Sequence, residues 1–345
     1  MRHWTCVILA VAALFVAFPA SAAEREIFVL NMACLFPEDH PVSKEVLLPW
    51  AKELQELTGN QIHIRLHQPD RLIRPEKMLS AIQVGQLDMG HGENAYTHRQ
   101  LIINTALMLS TALNNPVTAS EAYWRVYNEI PEARQEFANI KILALHSLGR
   151  FHLAGTNKDL RSLEDMQDKH ILVYNGIAEK QASLLGATAH VLPLQVFSPS
   201  SVSYADAYYL PVCLQQYTGL DSRTKNVTVT ELGYTGCWLG MHQGVWDSLP
   251  QNIQKAITQS AGLKLSLALG RAVFEVEKSE LERLRIMGIR VNYLSHEENA
   301  RWKNAVGEKL LGNWLSEMRL HKITNPRALY DRIMKIASEA EAKKN

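Results

Sequence analysis

The fold is decided between His146 and Pro211. The chain reads HSLGRFHLAGTNKDLRSLEDMQDKHILVYNG from His146 to Gly176 and EKQASLLGATAHVLPLQVFSPSSVSYADAYYLP from Glu179 to Pro211. The apolar residues that lead into this stretch predict a buried strand from Ile140 to His146, which continues across Gly149.

Local signals divide the rest of this stretch into short elements. Ser162 opens the sequence Ser-Leu-Glu-Asp, which has the form of a capping box and predicts a helix start. The apolar run at 171–173 predicts a strand, Asn175-Gly176 a turn, and 178–185 a helix that stops at Gly186. Strand, turn, helix and strand in quick alternation favour an α/β lobe whose strand ends point into a cleft.

Three segments of this stretch resemble one protein family. SLEDMQDKHILV, LGATAHVLPL and FSPSSVSYADA are similar to the hallmark segments of the solute-binding proteins of tripartite ATP-independent periplasmic (TRAP) transporters, the DctP type. His40-Pro41 before the first predicted helix and the Gly-x-Leu-Asp-Met segment that ends at Met89 match the family's opening. The resemblance implies an α/β fold of the two-lobed periplasmic binding protein type, with a hinge and a long lobe-spanning helix.

Several signature residues of the family are replaced in this chain. Leu172 stands where the family usually carries its carboxylate-binding Arg, and Asp168 replaces a Gly. Ala207 replaces the Gly after Asp206, and Leu210 falls near a position where many members carry Asn. The resemblance therefore implies the fold more directly than the ligand.

The resemblance also implies how the chain divides between lobes. Lobe one takes 24–149 and 236–282, and lobe two takes 150–235 and 283–345. Apolar residues from Trp246 to Leu284 keep an i, i+4 rhythm that Gly262 and Gly270 weaken but no proline interrupts after Pro250. We predict a single very long helix there, which bridges the lobes.

The first 23 residues have the pattern of a cleaved signal peptide. Arg2 and His3 are followed by an apolar run from Val7 to Phe18 and by small residues up to Ala23. The run is shorter than the ~20 residues that a membrane span needs. We expect export to the periplasm, as a monomer.

Charge and composition exclude some classes of partner. The chain has 36 Lys and Arg against 35 Asp and Glu, so removal of Arg2 with the signal leaves a formal charge near zero. No basic field is present to hold nucleic acid.

The sequence predicts neither a metal site, nor a cofactor, nor an enzyme. No CxxC, zinc spacing or nucleophile motif is found, and His146 and His152 are interpreted as surface or hydrogen-bonded residues. Cys213 and Cys237 are free to form a bridge in an oxidising compartment, or to remain buried thiols beside Cys34.

Binding proteins of this architecture hold ligand between the lobes, where loops converge. The loops expected there are 36–40, 71–74, 90–96, 149–151, 172–175 and 206–209. The candidate ligand-binding residues on them are Phe36, Glu93, Asn94, Arg150, Leu172, Asn175, Asp206, Tyr208 and Tyr209.

Leu172 leaves three hypotheses open, because it cannot donate a hydrogen bond to a carboxylate. In the first, Arg150 supplies the charge instead. In the second, Glu93, Asp206, Tyr208 and Tyr209 bind an amine-bearing or aromatic solute. In the third, binding has decayed.

The resemblance implies capture of a small organic solute, an organic acid, in the periplasm. The solute would be delivered to the small and large membrane subunits of a TRAP transporter, without chemistry on it. The alternative role is to present ligand to a membrane sensor.

Overall fold

The computed structural model describes residues 26–110, 112–200 and 202–343. The predicted signal peptide, 1–23, lies outside these residues. The strands are β1 Phe28–Ala33, β2 Ile62–His67, β3 Met89–Glu93, β4 Ile140–Gly155, β5 His170–Val173, β6 Thr188–Val191, β7 Ala207–Pro211, β8 Asn226–Val229, β9 Tyr234–His242 and β10 Arg290–Tyr293.

Helices cover both faces of these strands. They are α1 Leu48–Leu57, α2 Pro75–Gln83, α3 Pro116–Glu129, α4 Pro131–Gln135, α5 Leu163–Met166, α6 Gly176–Leu184, α7 Gln215–Thr218, α8 Gln243–Ser248, α9 Gln251–Ser260, α10 Leu263–Ile286, α11 His296–Leu320 and α12 Pro326–Ala342. A π-helical segment, Val42–Leu47, leads directly into α1. In the described ranges, no helix is both long enough and apolar enough to cross a membrane.

The sheet order is β2-β1-β3-β9-β4-β7-β5-β6, with β8 and β10 off this path. The strand β4 joins its two halves, because residues 140–150 pair with β9 and residues 151–155 pair with β7. Between the two halves Gly149 has a φ of 101°, which favours glycine, and a Cβ there would lie 2.9 Å from Glu277 Oε2. The prediction of a strand that continues across Gly149 is confirmed.

The predicted lobe-spanning helix is present as α10. It packs against α3 and the segment Val42–Leu47 on one side, and against Val212–Leu214 and β10 on the other. The predicted single helix from Trp246 is wrong, however, since α8, α9 and α10 are separate. Gly262 causes the second break: its φ of 72° and ψ of −141° are accessible essentially to glycine alone.

The core lies on both faces of the lobe-one sheet. Leu239 faces the cluster that contains Trp50 and Ile257, whereas its neighbour Trp238 faces the cluster that contains Tyr123 and Ile333. This alternation places consecutive residues of β3 and β9 in different environments.

The two terminal helices pack differently. α11 contacts α5 and α6, while α12 contacts α3. The assignment of all of 283–345 to lobe two stays a prediction.

Candidate functional site

The carboxyl ends of the parallel strands meet between the two halves of the sheet. β1 and β3 run parallel in one half, and β5 and β7 run parallel in the other. The residues that follow these strands therefore face each other, as in other open α/β sheets.

Glu93, the last residue of β3, ties the two halves together. Its Oε1 accepts a hydrogen bond from Tyr174 Oη at 2.9 Å and another from Thr235 Oγ1 at 2.9 Å. Tyr174 follows β5 and so belongs to the opposite half. Burial raises the pKa of Glu93 to about 7, against the opposing effect of these two donors.

A cavity of about 370 Å³ opens between the halves, beside Tyr96. Its walls come from both and are mostly apolar. They are Leu35, Phe36, Pro37, Pro69, Asp70, Pro75 and Tyr96 from one half, and Leu194, Gln195, Phe197, Leu214 and Thr218 from the other. None of these wall residues is Lys or Arg, and Asp70 is the one ionisable carboxylate among them.

The mouth of the cavity is bridged by a second contact between the halves. Gln195 Nε2 donates a hydrogen bond to Asp70 Oδ1 at 3.2 Å. Burial raises the pKa of Asp70, while this hydrogen bond opposes the rise.

Some buried polar atoms of the predicted loops lack hydrogen-bond partners in the described part of the chain. Tyr96 Oη, Asn175 Nδ2 and Glu93 Oε2 are buried and have no hydrogen-bond partner among the described residues. The Tyr96 ring lies 5.6 Å from the ring of Tyr174, which donates to Glu93 Oε1 and directly precedes Asn175. Buried polar groups without partners are uncommon and call for a ligand or water.

Of two further predicted residues, Phe36 is among those that line the cavity and Asn175 is not. Phe36 lines the cavity and stacks on His40 with ring centroids 3.9 Å apart. Asn175 caps α6, since its Oδ1 accepts from the backbone N–H groups of Ile177 and Ala178 at 3.1 and 2.9 Å.

The next predicted residue, Asn94, lies on the other face of the sheet from Glu93. A Cβ built on Gly236 would come within 2.5 Å of the Tyr123 ring and 2.8 Å of Asn94 Nδ2. Asn94 begins a 3₁₀-helical turn after β3 and lies near Tyr123, whereas Glu93 bonds to Tyr174 and Thr235, so the two side chains do not reach one site.

The guanidinium of Arg150 makes two contacts inside the protein. Its Nη2 donates to the Leu113 carbonyl at 2.7 Å, and its guanidinium lies 4.4 Å from the centroid of the Tyr234 ring. These contacts anchor β4 where it passes between the halves.

Asp206 lies at the amino end of β7, the end opposite to the cavity. Its Oδ2 accepts from the His170 backbone N–H at 2.9 Å. The residues after β7, Leu214 and Thr218, reach the cavity instead.

Leu172, Tyr208 and Tyr209 are buried in the second half. Leu172 pairs with Tyr208, whose Oη donates to the Leu220 carbonyl at 3.1 Å. Tyr209 Oη donates to Gln181 Oε1 at 3.1 Å, and its ring packs 5.2 Å from Phe151. The hydroxyls of both tyrosines thus have partners within the protein.

The sequence missed Tyr174, Thr235 and Phe197 as site residues. Tyr174 was within reach of prediction, because it directly follows a parallel strand and precedes the cap residue Asn175. Phe197 and Leu194 carry no local signal, since a short helical turn at Leu194–Val196 brings them to the cavity.

Three potential metal ligands, one each from β3, β4 and β9, lie close together. Donor atoms of His91, His146 and Cys237 all lie within 4.8 Å of one another. The interpretation of His146 as a surface residue is wrong, but it is hydrogen-bonded, as the alternative stated. Cys34, Cys213 and Cys237 are all buried free thiols, so Cys213 and Cys237 do not form a bridge.

Comparisons with known proteins agree with this architecture. A TRAP solute binding protein from Rhodoferax ferrireducens, in complex with benzoate, superposes with a TM-score of 0.82 at 18% identity, covering 91% of this chain and 98% of that one. One from Bordetella bronchiseptica, with bound mandelate, has a TM-score of 0.79 at 19% identity, covering 92% and 99%. At these identities the likeness shows the fold, which confirms the predicted two-lobed α/β class.

Sequence relatives extend the same result. The outer membrane transporter protein TsaT of Comamonas testosteroni is 22% identical over 260 residues, which are 74% of this chain and 76% of that protein. Residues 32–312 match the DctP family model, described as bacterial extracellular solute-binding protein, family 7. The match spans most of the chain and confirms the resemblance seen in the motifs. The chain belongs to the DctP family, family 7 of the bacterial extracellular solute-binding proteins.

Proposed function

We propose that this protein captures a small aromatic organic acid between its two lobes and delivers it to the membrane subunits of a TRAP transporter. The observation that carries the proposal is the interlobe cavity, which has an apolar, partly aromatic wall that includes Tyr96, whose buried hydroxyl has no partner among the described residues. The protein binds the solute and releases it chemically unchanged.

The wall fits a single aromatic ring. Phe36, Tyr96 and Phe197 offer rings for offset or edge-to-face contacts, while Leu194 and Leu214 supply aliphatic surface. At about 370 Å³ the cavity is at the small end of the range for ligand sites. Solutes of the size of benzoate or mandelate, which relatives with this fold bind, fit that volume better than larger ones.

The acid group is received by neutral donors rather than by an arginine. Leu172 carries no donor, and Arg150 is committed to Leu113 and Tyr234. Tyr96 Oη and Asn175 Nδ2 are buried donors without partners in the described ranges; Arg150 Nε is a third, on a guanidinium that Leu113 and Tyr234 already hold. Asn175 also stands at the N-terminus of α6, where the helix dipole favours negative charge.

A second candidate is an amine-bearing or neutral aromatic solute. It is favoured by the acidic surroundings of Tyr96, whose pKa is raised well above its usual value by burial and by the charges of Glu93, Glu76 and Asp70. No Lys or Arg among the wall residues offsets those carboxylates. A cationic ligand would gain from the same field that an anion must overcome.

Thermal shift with a solute panel tests the proposal. The panel holds benzoate, 3-hydroxybenzoate, benzylamine, benzyl alcohol and the non-aromatic acid glucuronate. A ligand at about 100 times its Kd adds about 2.7 kcal/mol to the free energy of unfolding, which for a chain of this length is a rise in Tm of about 4 °C. We expect the aromatic acids to raise Tm most, and equal or larger shifts with glucuronate would contradict the proposal.

A cavity-filling variant locates the binding. Leu214→Trp puts an indole into the cavity and should abolish the shift. Leu320→Trp, on a residue that is 81% exposed in α11, is the matched control and should leave it unchanged. Shifts that survive Leu214→Trp would place the ligand elsewhere.

The transport role has its own test. Cells that lack this protein should lose uptake of the bound solute, and purified protein added to their spheroplasts should restore it. If uptake persists and only a transcriptional response to the solute is lost, the sensor role replaces the transport role. N-terminal sequencing of the exported protein should begin at Glu24, and gel filtration should give a monomer.

A further inference from the structure

A buried cluster of His91, His146 and Cys237 lies on one face of the lobe-one sheet. His146 in β4 pairs directly with Cys237 in β9, and Cys237 pairs with Glu93 in β3, two residues from His91. The three side chains are 0% exposed. We call them the His-His-Cys cluster.

The hydrogen bonds of this cluster fix which nitrogens carry protons. His146 Nδ1 lies 2.9 Å from the Ser147 carbonyl oxygen, which can only accept, so Nδ1 carries the proton. In the neutral ring His146 Nε2 then holds a lone pair. It lies 2.8 Å from His91 Nε2, which must donate to it.

Two atoms of the cluster make no hydrogen bond within the described residues. His91 Nδ1 has no hydrogen-bond partner in the part of the chain that the structure describes. For Cys237 Sγ the same described residues give no hydrogen bond either. The unpartnered Nδ1 leaves His91 able to change tautomer, because it can take up the proton that Nε2 now carries.

We propose that the His-His-Cys cluster binds a borderline transition metal ion, Zn(II) in the first place, through His91 Nε2, His146 Nε2 and Cys237 Sγ. The three donor atoms lie within 4.8 Å of one another. With Zn–N bonds of about 2.0–2.1 Å and a Zn–S bond of about 2.3 Å, a tetrahedral ion requires the two Nε2 atoms, now 2.8 Å apart, to separate by about 0.5 Å and Sγ to lie about 3.5 Å from each. Two imidazoles and a thiolate suit zinc and copper rather than magnesium or calcium.

Binding of the metal ion would release one proton from the cluster. The proton on His91 Nε2 moves to the unpartnered Nδ1, so both imidazoles stay neutral and each directs a lone pair at the metal. Cys237 gives up its thiol proton to solvent and binds as the thiolate. The hydrogen bond from His146 Nδ1 to the Ser147 carbonyl is the support that metal-bound histidines usually have.

Three protein ligands leave a coordination position open. Glu93 lies opposite Cys237 in the strand register, and Phe36 lies 5.7 Å from His91 between ring centroids. The metal site therefore adjoins the interlobe region but does not depend on which solute binds there.

Cobalt substitution tests the site directly. Protein freed of its affinity tag and of metal by dialysis against a chelator is titrated with Co(II), without any solute. We expect one equivalent to bind with a thiolate-to-cobalt charge-transfer band, to compete with Zn(II), and to release one proton, measured by calorimetry in buffers of different ionisation enthalpy.

Matched variants assign the ligands. Cys237→Ser should abolish the band and weaken binding at least about 100-fold, and His91→Gln should weaken it similarly. Cys34→Ser changes another buried thiol and should have no effect. His190→Gln removes the exposed pair that His190 forms with His170 at 2.9 Å, and should leave the band unchanged.

Some results would overturn the proposal. A wild-type protein that shows no charge-transfer band and no rise in Tm with Zn(II) would mean that the cluster is a packed pair of neutral imidazoles beside a thiol. A band that survives Cys237→Ser, or that Cys34→Ser removes, would assign the metal to another site. Variants are compared only after circular dichroism shows that they are folded.

Discussion

Tyr174 Oη donates a hydrogen bond to Glu93 Oε1 at 2.9 Å, and this contact joins the end of β5 in one lobe to the end of β3 in the other. Both residues are buried, with 3% and 2% exposure. A buried hydrogen bond to a carboxylate contributes more than an exposed one. The pair is thus suited to stabilise the arrangement in which the lobes enclose the cavity.

Tyr174→Phe should weaken solute binding by about 10-fold, since loss of a hydrogen bond to a charged group costs roughly 1.5–3 kcal/mol. Less favourable lobe closure lowers the apparent affinity. The measurement is isothermal titration with the best solute of the panel. Tyr208→Phe is the matched control, because it removes a buried hydroxyl that bonds to Leu220 within one lobe. Equal loss of affinity in both variants would refute an interlobe role for Tyr174.

Arg150→Ala should lower stability and leave affinity within about twofold. The variant loses a charge-assisted hydrogen bond to the Leu113 carbonyl and a cation–π contact with Tyr234, together about 2 kcal/mol. Urea denaturation measures the first effect and calorimetric titration the second. If affinity for aromatic acids falls more than tenfold while stability holds, Arg150 is the substitute for the family arginine.

Gly262→Ala should destabilise the protein by about 1–3 kcal/mol, because the glycine has a φ of 72° and a ψ of −141° at the break between α9 and α10. Gly307 in α11 is the matched control: a Cβ there meets nothing within 4 Å. Gly307→Ala should stabilise by up to about 1 kcal/mol. Chemical denaturation of both variants gives the comparison, and a neutral Gly262→Ala would mean that the helix break is not imposed by this residue.

Local features of the fold were predictable from the sequence. Ser162 caps α5 by accepting from the Asp165 backbone N–H at 3.1 Å, and Gly186 ends the segment after α6 with a φ of 102°. Each depends on a few neighbouring residues, so the sequence carries the whole signal.

Long-range placement was less predictable. Glu93 and Asn94 looked equivalent, yet β3 ends at Glu93 and the 3₁₀-helical turn that follows carries Asn94 toward Tyr123. Asp206 matched a family position, but the direction of β7 puts it at the far end of the sheet from the cavity. The i, i+4 spacing of apolar residues continues past Gly262, although the helix breaks at that residue. Register, strand direction and backbone handedness are set by contacts distant in the chain.

The central claim is that the cleft recognises an aromatic acid by neutral donors rather than by an arginine. Calorimetric titration of 3-hydroxybenzoate and benzylamine into the wild type and Tyr96→Phe tests it most directly. We predict that the acid binds at least tenfold more tightly than the amine. Tyr96→Phe should weaken binding of the acid by about 10-fold, because one buried donor is lost. Tighter binding of the amine, together with an acid affinity that Tyr96→Phe leaves unchanged, would contradict the account.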